Sequence, residues 1–375
     1  MARGLRAMRY VSAGLGIFPI YCIVMLGIGL MNHVMVLPML LQTAKRSAWI
    51  SVLLSIIPYL IWIAALHLIM RRMQQRALMV WLRDRYGSTV CWILKVVFLF
   101  YLLFISAMTL KDTVTWTHAT YLPRTPELVL CLALMLLCFS ASRLGIRAIA
   151  IVSGILLPFV VLFGDFVMSA NIPRKNYKLL SPLFEDGLLP VLGGLVYVGG
   201  GLAELVVLLL LQHQIHKKVR YWSVALLGVF LVILILGPTT GAIGEFGPVI
   251  AASLRYPAFE EWRLVRLGRY ITHVDFLSIY QWLSGAFIRI AVSLYLIVEL
   301  ITDGRPTHDK RSLIALSCVS VALIVLARLP VSDIQYLSIL KNVYLPMSLC
   351  LGIGLVCVLL LLLFIPARSK VRTNG

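Results

Sequence analysis

The sequence predicts an all-α polytopic membrane protein whose ten transmembrane helices form a 5+5 inverted repeat, with discontinuous helices 1 and 6. Three observations lead to this fold class. Of the 375 residues, 61% are hydrophobic and only 13% are charged, and a water-soluble domain of that composition would expose too much apolar surface. Apolar segments long enough to cross a bilayer recur along the chain. The first and sixth of these segments contain glycines near their middles.

Each long apolar segment is predicted as a helix, because a helix satisfies all its backbone polar groups inside lipid. The ten predicted spans are residues 16–41, 48–70, 89–110, 127–142, 148–170, 189–212, 221–243, 273–300, 312–329 and 336–365. They make up a single integral membrane domain over residues 1–375. Arg3, Arg6 and Arg9 precede the first span without a small-residue cleavage site after it, so we expect an uncleaved first helix.

The distribution of basic residues predicts the orientation of the chain. With ten spans both termini lie on the same face, and the termini and connecting segments of that face together carry more Lys and Arg than the connecting segments of the other face. The positive-inside rule therefore puts both termini in the cytoplasm. The net charge of +19 follows from these basic loops. The expected partner is the lipid bilayer and not a nucleic acid, because no basic stripe or recognition motif is present.

Two connecting segments are predicted to lie at the membrane surface. The cytoplasmic segment 71–88 combines apolar residues with a tryptophan and several arginines, a composition that suits anionic lipid. The residues concerned are Arg71, Arg72, Arg76, Trp81, Arg83 and Arg85. The outer segment 244–272 is predicted to contain a short interfacial helix with Trp262 at the level of the lipid headgroups.

The glycines of the sixth span predict an interruption of the helix. Gly199, Gly200 and Gly201 are consecutive, and each glycine weakens a helix by roughly 1 kcal/mol. Glu204 follows them, and a carboxylate at this depth needs a partner or water. Span one contains Gly27 and Gly29 at the corresponding position of the first half. Paired interruptions of this kind are typical of inverted-repeat transporters that bind a ligand between two broken helices.

Further segments, spread over most of the chain, complete a recognisable pattern. They are Val36-Leu37-Pro38, Ala48-Trp49-Ile50, the stretch from Ser181-Pro182 through Gly187 and Pro190 to Gly193-Gly194, Glu204, Gly244-Glu245-Phe246-Gly247, Leu254-Arg255-Tyr256-Pro257, His273-Val274-Asp275, Trp282 and Arg289. In order and spacing they resemble the spore germination receptor B-subunit family, a branch of the amino acid–polyamine–organocation (APC) transporter superfamily. The chain departs from the family in span one, where Leu30, Met31, Asn32 and His33 replace a regular motif of glycines and small residues.

The resemblance implies both a location and partners. It implies a ten-span protein of the spore inner membrane that assembles with an A subunit carrying a soluble domain and with a lipoprotein C subunit. Receptors of this family sense a small nutrient, often an amino acid, and trigger germination. We therefore expect a nutrient-sensing subunit. Two alternatives remain open: a proton-coupled amino-acid or amine permease, and a membrane scaffold with a vestigial pocket.

The expected ligand-binding residues surround the two interruptions. They are Gly27, Ile28, Gly29, Leu30, Met31, Tyr197, Gly199, Gly200, Gly201 and Glu204. Backbone N–H groups after the span-one interruption would take a carboxylate, and carbonyl groups near the glycines would take an ammonium group. The alternative is that the span-one glycines only allow close packing of helices.

Glu204 and Arg289 are the candidate intramembrane charge pair. Three roles are open for Glu204: a structural pair with Arg289, a ligand or ion site, or simple exposure to a water-filled cavity. No cofactor or metal site is expected, since the seven cysteines lie in or beside apolar runs without metal-ligand spacing. No enzyme activity is expected either, because none of the familiar catalytic motifs is present.

Overall fold

A computed structural model describes residues 14–266 and 273–365, and most of these residues are helical. Nine helical segments in these ranges are long and apolar enough to cross a membrane. The first, Ile17–Met73, has 57 residues, far more than the roughly 20 that one crossing needs. It turns at Lys45, where φ is 44° and ψ is −120°, and the helices on both sides of the turn pack against the same two neighbours. This segment therefore contains two spans, which gives the ten that the sequence predicts.

The ten spans, numbered in chain order, contain both regular and irregular helix. Their α-helical parts are Ile17–Met31 and Leu37–Ala44 (one), Ala48–Leu54 and Ile56–Met73 (two), Ser88–Thr120 (three), Glu127–Leu144 (four), Ile146–Ala170 (five), Leu189–Leu202 and Leu208–Leu211 (six), Tyr221–Ser253 (seven), Leu277–Ile301 (eight), Lys310–Ala327 (nine), and Asp333–Ile339 and Leu345–Phe364 (ten). Span one contains the π-helical turn Asn32–Val36, span ten the π-helical turn Leu340–Tyr344, and span six the 3₁₀ segments Ala203–Val207 and Gln212–Gln214.

Spans three and seven extend well past their expected ends at residues 110 and 243. Span three continues because Asp112, which marks the end of the apolar run, is buried and pairs with Arg255 at 2.6 Å. Span seven continues through a kink at Gly247, where φ is 77° and Pro248 follows. In both spans the apolar pattern therefore ends earlier in the sequence than the helix itself.

The helix contacts of the first half recur in the second half. Span one packs against span five as span six packs against span ten, and span two packs against span six as span seven packs against span one. Short helices, Leu78–Tyr86 and Pro257–Leu264, connect the second and third helices of the two halves. An odd number of spans separates these two helices, so they lie on opposite faces. The arrangement has the symmetry of an inverted repeat.

The short helix Pro257–Leu264 is present where an interfacial helix was expected, but it packs on the protein. Trp262 is only 4% exposed, and its Nε1 donates a 2.9 Å hydrogen bond to Gln281 in span eight. The indole of Trp262 is therefore enclosed by protein instead of contacting lipid headgroups, and its level in the membrane stays a prediction. The amphipathic indole satisfies its polar group inside the protein instead of at the lipid boundary.

A backbone bridge identifies the face on which the described chain begins. The N–H of Leu15 donates to the carbonyl of Gln214 at 2.7 Å, and the N–H of His216 donates to the carbonyl of Leu15 at 3.1 Å. This parallel bridge between Leu15 and Ile215 ties the start of span one to the end of span six. We call this side the N-terminal face. The basic residues of the two termini, which contribute to the predicted orientation, lie outside the described residues; they are Arg3, Arg6, Arg9, Arg368, Lys370 and Arg372.

Candidate functional site

The glycines of spans one and six stay helical, and the irregular backbone follows them. Residues 27–31 complete the first α-helix of span one, and a π-helical turn begins at Asn32. Residues 199–201 lie in the first α-helix of span six, and 3₁₀ geometry begins at Ala203. The discontinuity expected in each helix thus takes the form of a change in helical hydrogen bonding instead of an unwound stretch. Such segments are frequent at functional sites.

Close packing explains why the glycines of span six remain helical. A methyl group added at Gly201 would lie 2.5 Å from Oδ1 of Asn32 and 2.6 Å from Cγ2 of Val36, both in span one. One added at Gly199 would lie 2.8 Å from Leu349 in span ten. The absence of side chains lets three spans approach closely at this level. On span one, Leu30 packs against Gly285 of span eight in the same way.

Two carbonyl groups next to the change in helix geometry accept hydrogen bonds from side chains. The hydroxyl of Ser348 donates to the carbonyl of Gly200 at 2.8 Å, and the hydroxyl of Tyr59 donates to the carbonyl of Leu202 at 3.2 Å. Tyr101 contacts Ser348 at 2.8 Å. Spans two and ten thereby bond the backbone of span six directly, and span three supports this contact through Ser348, so polar groups in this apolar surrounding have partners.

Glu204 and Arg289 form an ion pair at the centre of the helix bundle. Their side chains are 5% and 3% exposed. The hydroxyl of Tyr344 donates to Oε1 of Glu204 at 2.8 Å and accepts from Nη2 of Arg289 at 2.7 Å. Nη1 of Arg289 donates to Thr109 at 2.7 Å. Spans three, six, eight and ten therefore meet in one buried polar network, which we call the central network (Thr109, Glu204, Arg289 and Tyr344).

Span one closes the remaining side of the guanidinium group. The sulfur atoms of Met31 and Met35 lie 3.2 Å and 3.7 Å from its nitrogens. A methyl group added at Gly27 would lie 3.8 Å from Cβ and Cγ of Arg289, so the side chain of Arg289 occupies the space beside Gly27. The Nε of Arg289 has no hydrogen-bond partner among the described residues.

Asn32 is a second polar group at this position. Its side chain is 1% exposed, and neither its amide oxygen nor its amide nitrogen has a hydrogen-bond partner within the described ranges. Leaving such a group unpaired costs roughly 1–3 kcal/mol. The amide lies against Gly201, three residues before Glu204 on the same span. It is therefore an unused donor and acceptor next to the central network.

The structure brings together some of the expected ligand residues and leaves others apart. Met31 and Glu204 contact Arg289 directly, and Gly27 and Gly201 border the same region. Ile28 is buried in the apolar core, and Gly29 faces Leu234 of span seven at 4.0 Å. Tyr197 is only partly buried and packs against apolar side chains.

Sequence reasoning missed three side chains of this region: Thr109, Tyr344 and the amide of Asn32. Asn32 carried a signal that could have been used, since a polar side chain inside an apolar span is a candidate functional group. Tyr344 carried none, because a tyrosine in an apolar helix is indistinguishable by sequence from one that only packs.

A second polar cluster closes the face opposite the N-terminal face. Arg255 donates to Asp112 at 2.6 Å and to Asp333 at 3.2 Å, and its guanidinium lies 4.2 Å from the ring centre of Tyr256. We call Asp112, Arg255 and Asp333 the outer clamp, where outer means only the face opposite the N-terminal face. Burial lowers the pKa of Arg255, but the negatively polarised groups around it, Asp112 above all, outweigh burial and raise the pKa, so this arginine stays charged.

The central network and the outer clamp share span three. Thr109 belongs to the central network and Asp112 belongs to the outer clamp. The two residues lie on the same side of the helix, because they are three positions apart. Trp116, a further turn along, stacks on Trp282 of span eight with ring centres 3.9 Å apart. Span three and span eight therefore connect the buried pair, through continuous packing, to the face opposite the N-terminal face.

Comparison with known proteins agrees with this architecture. The model of a family described as "Spore germination protein" matches residues 15–332. The chain is 40% identical over 344 residues to spore germination protein XB of Bacillus anthracis, a match that covers 92% of this chain and 96% of the relative. It is 29% identical over 265 residues to the protein YfkT of Bacillus subtilis (strain 168), covering 69% and 72%. It is 23% identical over 263 residues to spore germination protein KB of the same organism, covering 67% and 69%.

The family match spans nine of the ten crossings and both glycine-containing spans, and the helical fold is that of the APC type. These findings support a role in spore germination for a multi-pass membrane protein. The chain belongs to the spore germination protein family, in agreement with its resemblance to the B subunits of germination receptors.

Proposed function

We propose that this chain is the membrane subunit of a nutrient germinant receptor, which senses a small nutrient, an amino acid, and triggers germination of the spore. The observation that carries the proposal is the buried pair of Glu204 and Arg289 beside the amide of Asn32, which has no partner in the described part of the chain. Buried charged groups inside a membrane are costly and mark ligand or ion sites. The family supplies the biological setting.

A free amino acid is chemically suited to this pair because it carries one positive and one negative charge. Its ammonium group would replace the guanidinium as the partner of Glu204, and its carboxylate would replace Glu204 as the partner of Arg289. The exchange leaves no buried charge unpaired, which would otherwise cost several kcal/mol. The amide of Asn32 would then gain a hydrogen-bond partner on the ligand.

Ligand binding would favour one of two conformations of the bundle. Exchange at the pair changes the bonds of Arg289 to Thr109, and span three carries that change to Asp112 in the outer clamp. The A and C receptor subunits would receive the change. We place the protein in the spore inner membrane, with both termini in the cytoplasm.

A thermal-shift screen of the purified full-length protein against the amino acids tests the binding proposal. A ligand that prefers the native state raises the melting temperature. At one hundred times its Kd, such a ligand stabilises the folded protein by about 2.7 kcal/mol. Spores carrying Glu204→Gln should then respond poorly to that amino acid. A normal dose response at normal protein level would overturn the assignment of Glu204 to ligand binding.

A proton-coupled amino-acid or amine permease is the second candidate. The observation that favours it is the hydrogen bond from Tyr344 to Glu204, since a buried carboxylate with a hydroxyl partner is a common part of proton relays. Uptake of radiolabelled amino acid into proteoliposomes, dependent on a pH gradient and lost in Glu204→Gln, would support it. Without uptake, the sensing role is favoured.

A scaffold with a vestigial pocket is the third candidate. It is favoured by the side chain of Arg289, which occupies the space beside Gly27. A saturating set of substitutions in the central network that leaves germination unchanged, while deletion of the chain abolishes assembly of the receptor, would support the scaffold.

A further inference from the structure

A cavity of about 560 Å³ lies at the N-terminal face, between the end of span two and the short helix Leu78–Tyr86. Gln74 and Gln75 adopt positive φ values of 51° and 61°, and this turn folds the short helix back beside span two. The amide of Gln75 donates to the carbonyl of Ile215 at 2.7 Å. The turn is thereby held in place, although left-handed backbone is unfavourable for non-glycine residues.

Four arginines line this cavity, and none of them forms a salt bridge with a described residue. They are Arg71, Arg72, Arg76 and Arg85. Asp84, the only acid of the short helix, is exposed and does not line the cavity. Four guanidinium groups that face one space repel each other unless an anion neutralises them. The nearby Arg83 differs, because it pairs with Asp303 at 3.3 Å.

The floor of the cavity holds one arginine in a defined position. Trp81 is 5% exposed, and the guanidinium of Arg85 lies 5.9 Å from its ring centre and 5.6 Å from that of Tyr86. The Nε of Arg85 is buried without a hydrogen-bond partner among the described residues. Guanidinium groups bind the oxygens of phosphate in pairs, so an arginine prepared in this way suits a phosphate ligand.

We propose that this cavity binds a phosphate group, as carried by an anionic phospholipid of the adjacent leaflet. Leu68 lines the rim on the side of span two and is 41% exposed. A phospholipid would lay an acyl chain along this exposed apolar surface while the arginines take its phosphate. Membrane proteins use basic pockets beside their helices in this way.

The experiment measures the melting temperature of the purified full-length protein in a neutral detergent. Phosphatidylglycerol is added to one sample, phosphatidylcholine with the same acyl chains to a second, and sodium phosphate at equal ionic strength to a third. We expect phosphatidylglycerol to raise the melting temperature and phosphatidylcholine to have a much smaller effect. A rise of equal size with sodium phosphate would show that the phosphate comes from a soluble ligand and would support the same chemistry.

The double variant Arg72→Gln/Arg76→Gln tests the assignment to this cavity. Both side chains are exposed, so the variant should fold and should melt normally without lipid. We expect it to lose at least half of the rise caused by phosphatidylglycerol. The charge-matched control Arg143→Gln/Arg147→Gln removes two exposed arginines from the turn between spans four and five on the same face and should retain the full rise.

Three results would overturn the proposal. The first is an equal loss in both double variants, which would mean that only total charge matters. The second is an unchanged rise in Arg72→Gln/Arg76→Gln. The third is stabilisation by an acidic peptide, such as polyglutamate, without stabilisation by phosphatidylglycerol or phosphate, because the cavity would then be a docking site for a protein segment.

Discussion

The hydroxyl of Tyr344 donates a 2.8 Å hydrogen bond to Glu204, although the two residues belong to spans ten and six. Tyr344 ends the π-helical turn Leu340–Tyr344, and Glu204 lies in the 3₁₀ segment Ala203–Val207. A third irregular segment, Asn32–Val36 of span one, borders the same region. The three departures from α-helical geometry therefore converge on one buried ion pair.

Tyr344→Phe should weaken the hydrogen bonding of the central network without leaving a cavity. The substitution removes one donor to Glu204 and one acceptor from Arg289 but keeps the ring, which packs 5.1 Å from Phe104. A hydrogen bond to a charged group contributes about 1.5–3 kcal/mol. If that change falls on the ligand-bound state alone, the nutrient concentration for half-maximal germination rises by about tenfold or more.

The matched control for this prediction is Tyr21→Phe. Tyr21 lies in span one, and its hydroxyl donates to Ser223 at 2.9 Å, away from the central network. We expect an unchanged nutrient response in spores with this variant. Equal dose responses for Tyr344→Phe and the parent strain, at equal protein levels, would exclude Tyr344 from ligand recognition.

Gly201→Ala should destabilise the protein through a clash between spans one and six. The added methyl group would lie within 2.6 Å of Asn32 and Val36, and overpacking of this kind costs about 1–3 kcal/mol. The measurement is the melting temperature of the purified protein. Gly154→Ala is the control, because nothing lies within 4 Å of the added methyl group in span five. If both variants melt alike, spans one and six are not in close contact.

Asn32→Leu should separate stability from function. Leucine has a similar volume and removes an amide that is buried without a partner among the described residues, so the variant should be as stable as the parent or more stable by about 1 kcal/mol. If the amide serves the ligand, the same spores should show a weakened nutrient response. A variant with higher stability and an undiminished response would indicate that Asn32 has no part in binding.

Glu261→Gln should change how stability depends on pH. Glu261 lies in the short helix Pro257–Leu264 and is 2% exposed. Burial raises the pKa of its carboxyl group well above the usual value, the carboxylate of Glu245 raises it further, and Lys175 opposes this. The folded protein therefore binds this proton more tightly than the unfolded chain. The contribution of Glu261 to stability is therefore greatest below the ordinary pKa of glutamate. This contribution is lost as the pH rises through the pKa that Glu261 has in the folded protein.

The side chain of glutamine stays uncharged at every pH in this range. The variant should therefore melt at a higher temperature than the parent at pH 8 and at a similar temperature near pH 4. Melting curves over this pH range provide the measurement. Glu260→Gln is the control on the same helix, since Glu260 is 29% exposed and pairs with Arg263 at 3.0 Å. Parallel pH profiles for the parent and Glu261→Gln would contradict the prediction.

The fold could be predicted largely from the sequence because lipid allows few backbone structures. A helix long enough to cross the bilayer leaves a continuous apolar run, and that run identified the spans. The predicted ends of spans three and seven were wrong, because a buried ion pair at Asp112 and a kink at Gly247 allow each helix to continue beyond its apolar part. Such continuation depends on a partner from elsewhere in the chain.

The candidate site was only partly accessible from the sequence for the same reason. Glu204 and Arg289 were visible because charges are rare at this depth. The glycines were also visible, but the sequence could not distinguish an unwound cavity from close packing against Asn32 and Leu349. That distinction depends on the distance between helices. The role of Tyr344 depends on a π-helical turn, which leaves no pattern in the composition of span ten.

The backbone bridge between Leu15 and Ile215 has a mechanical consequence for any motion of the two halves. Spans one and six cannot part at the N-terminal face without breaking both hydrogen bonds of the bridge. We expect the two spans to rotate about this bridge as a hinge and to separate at the opposite face. A solute would then enter the bundle from that opposite face.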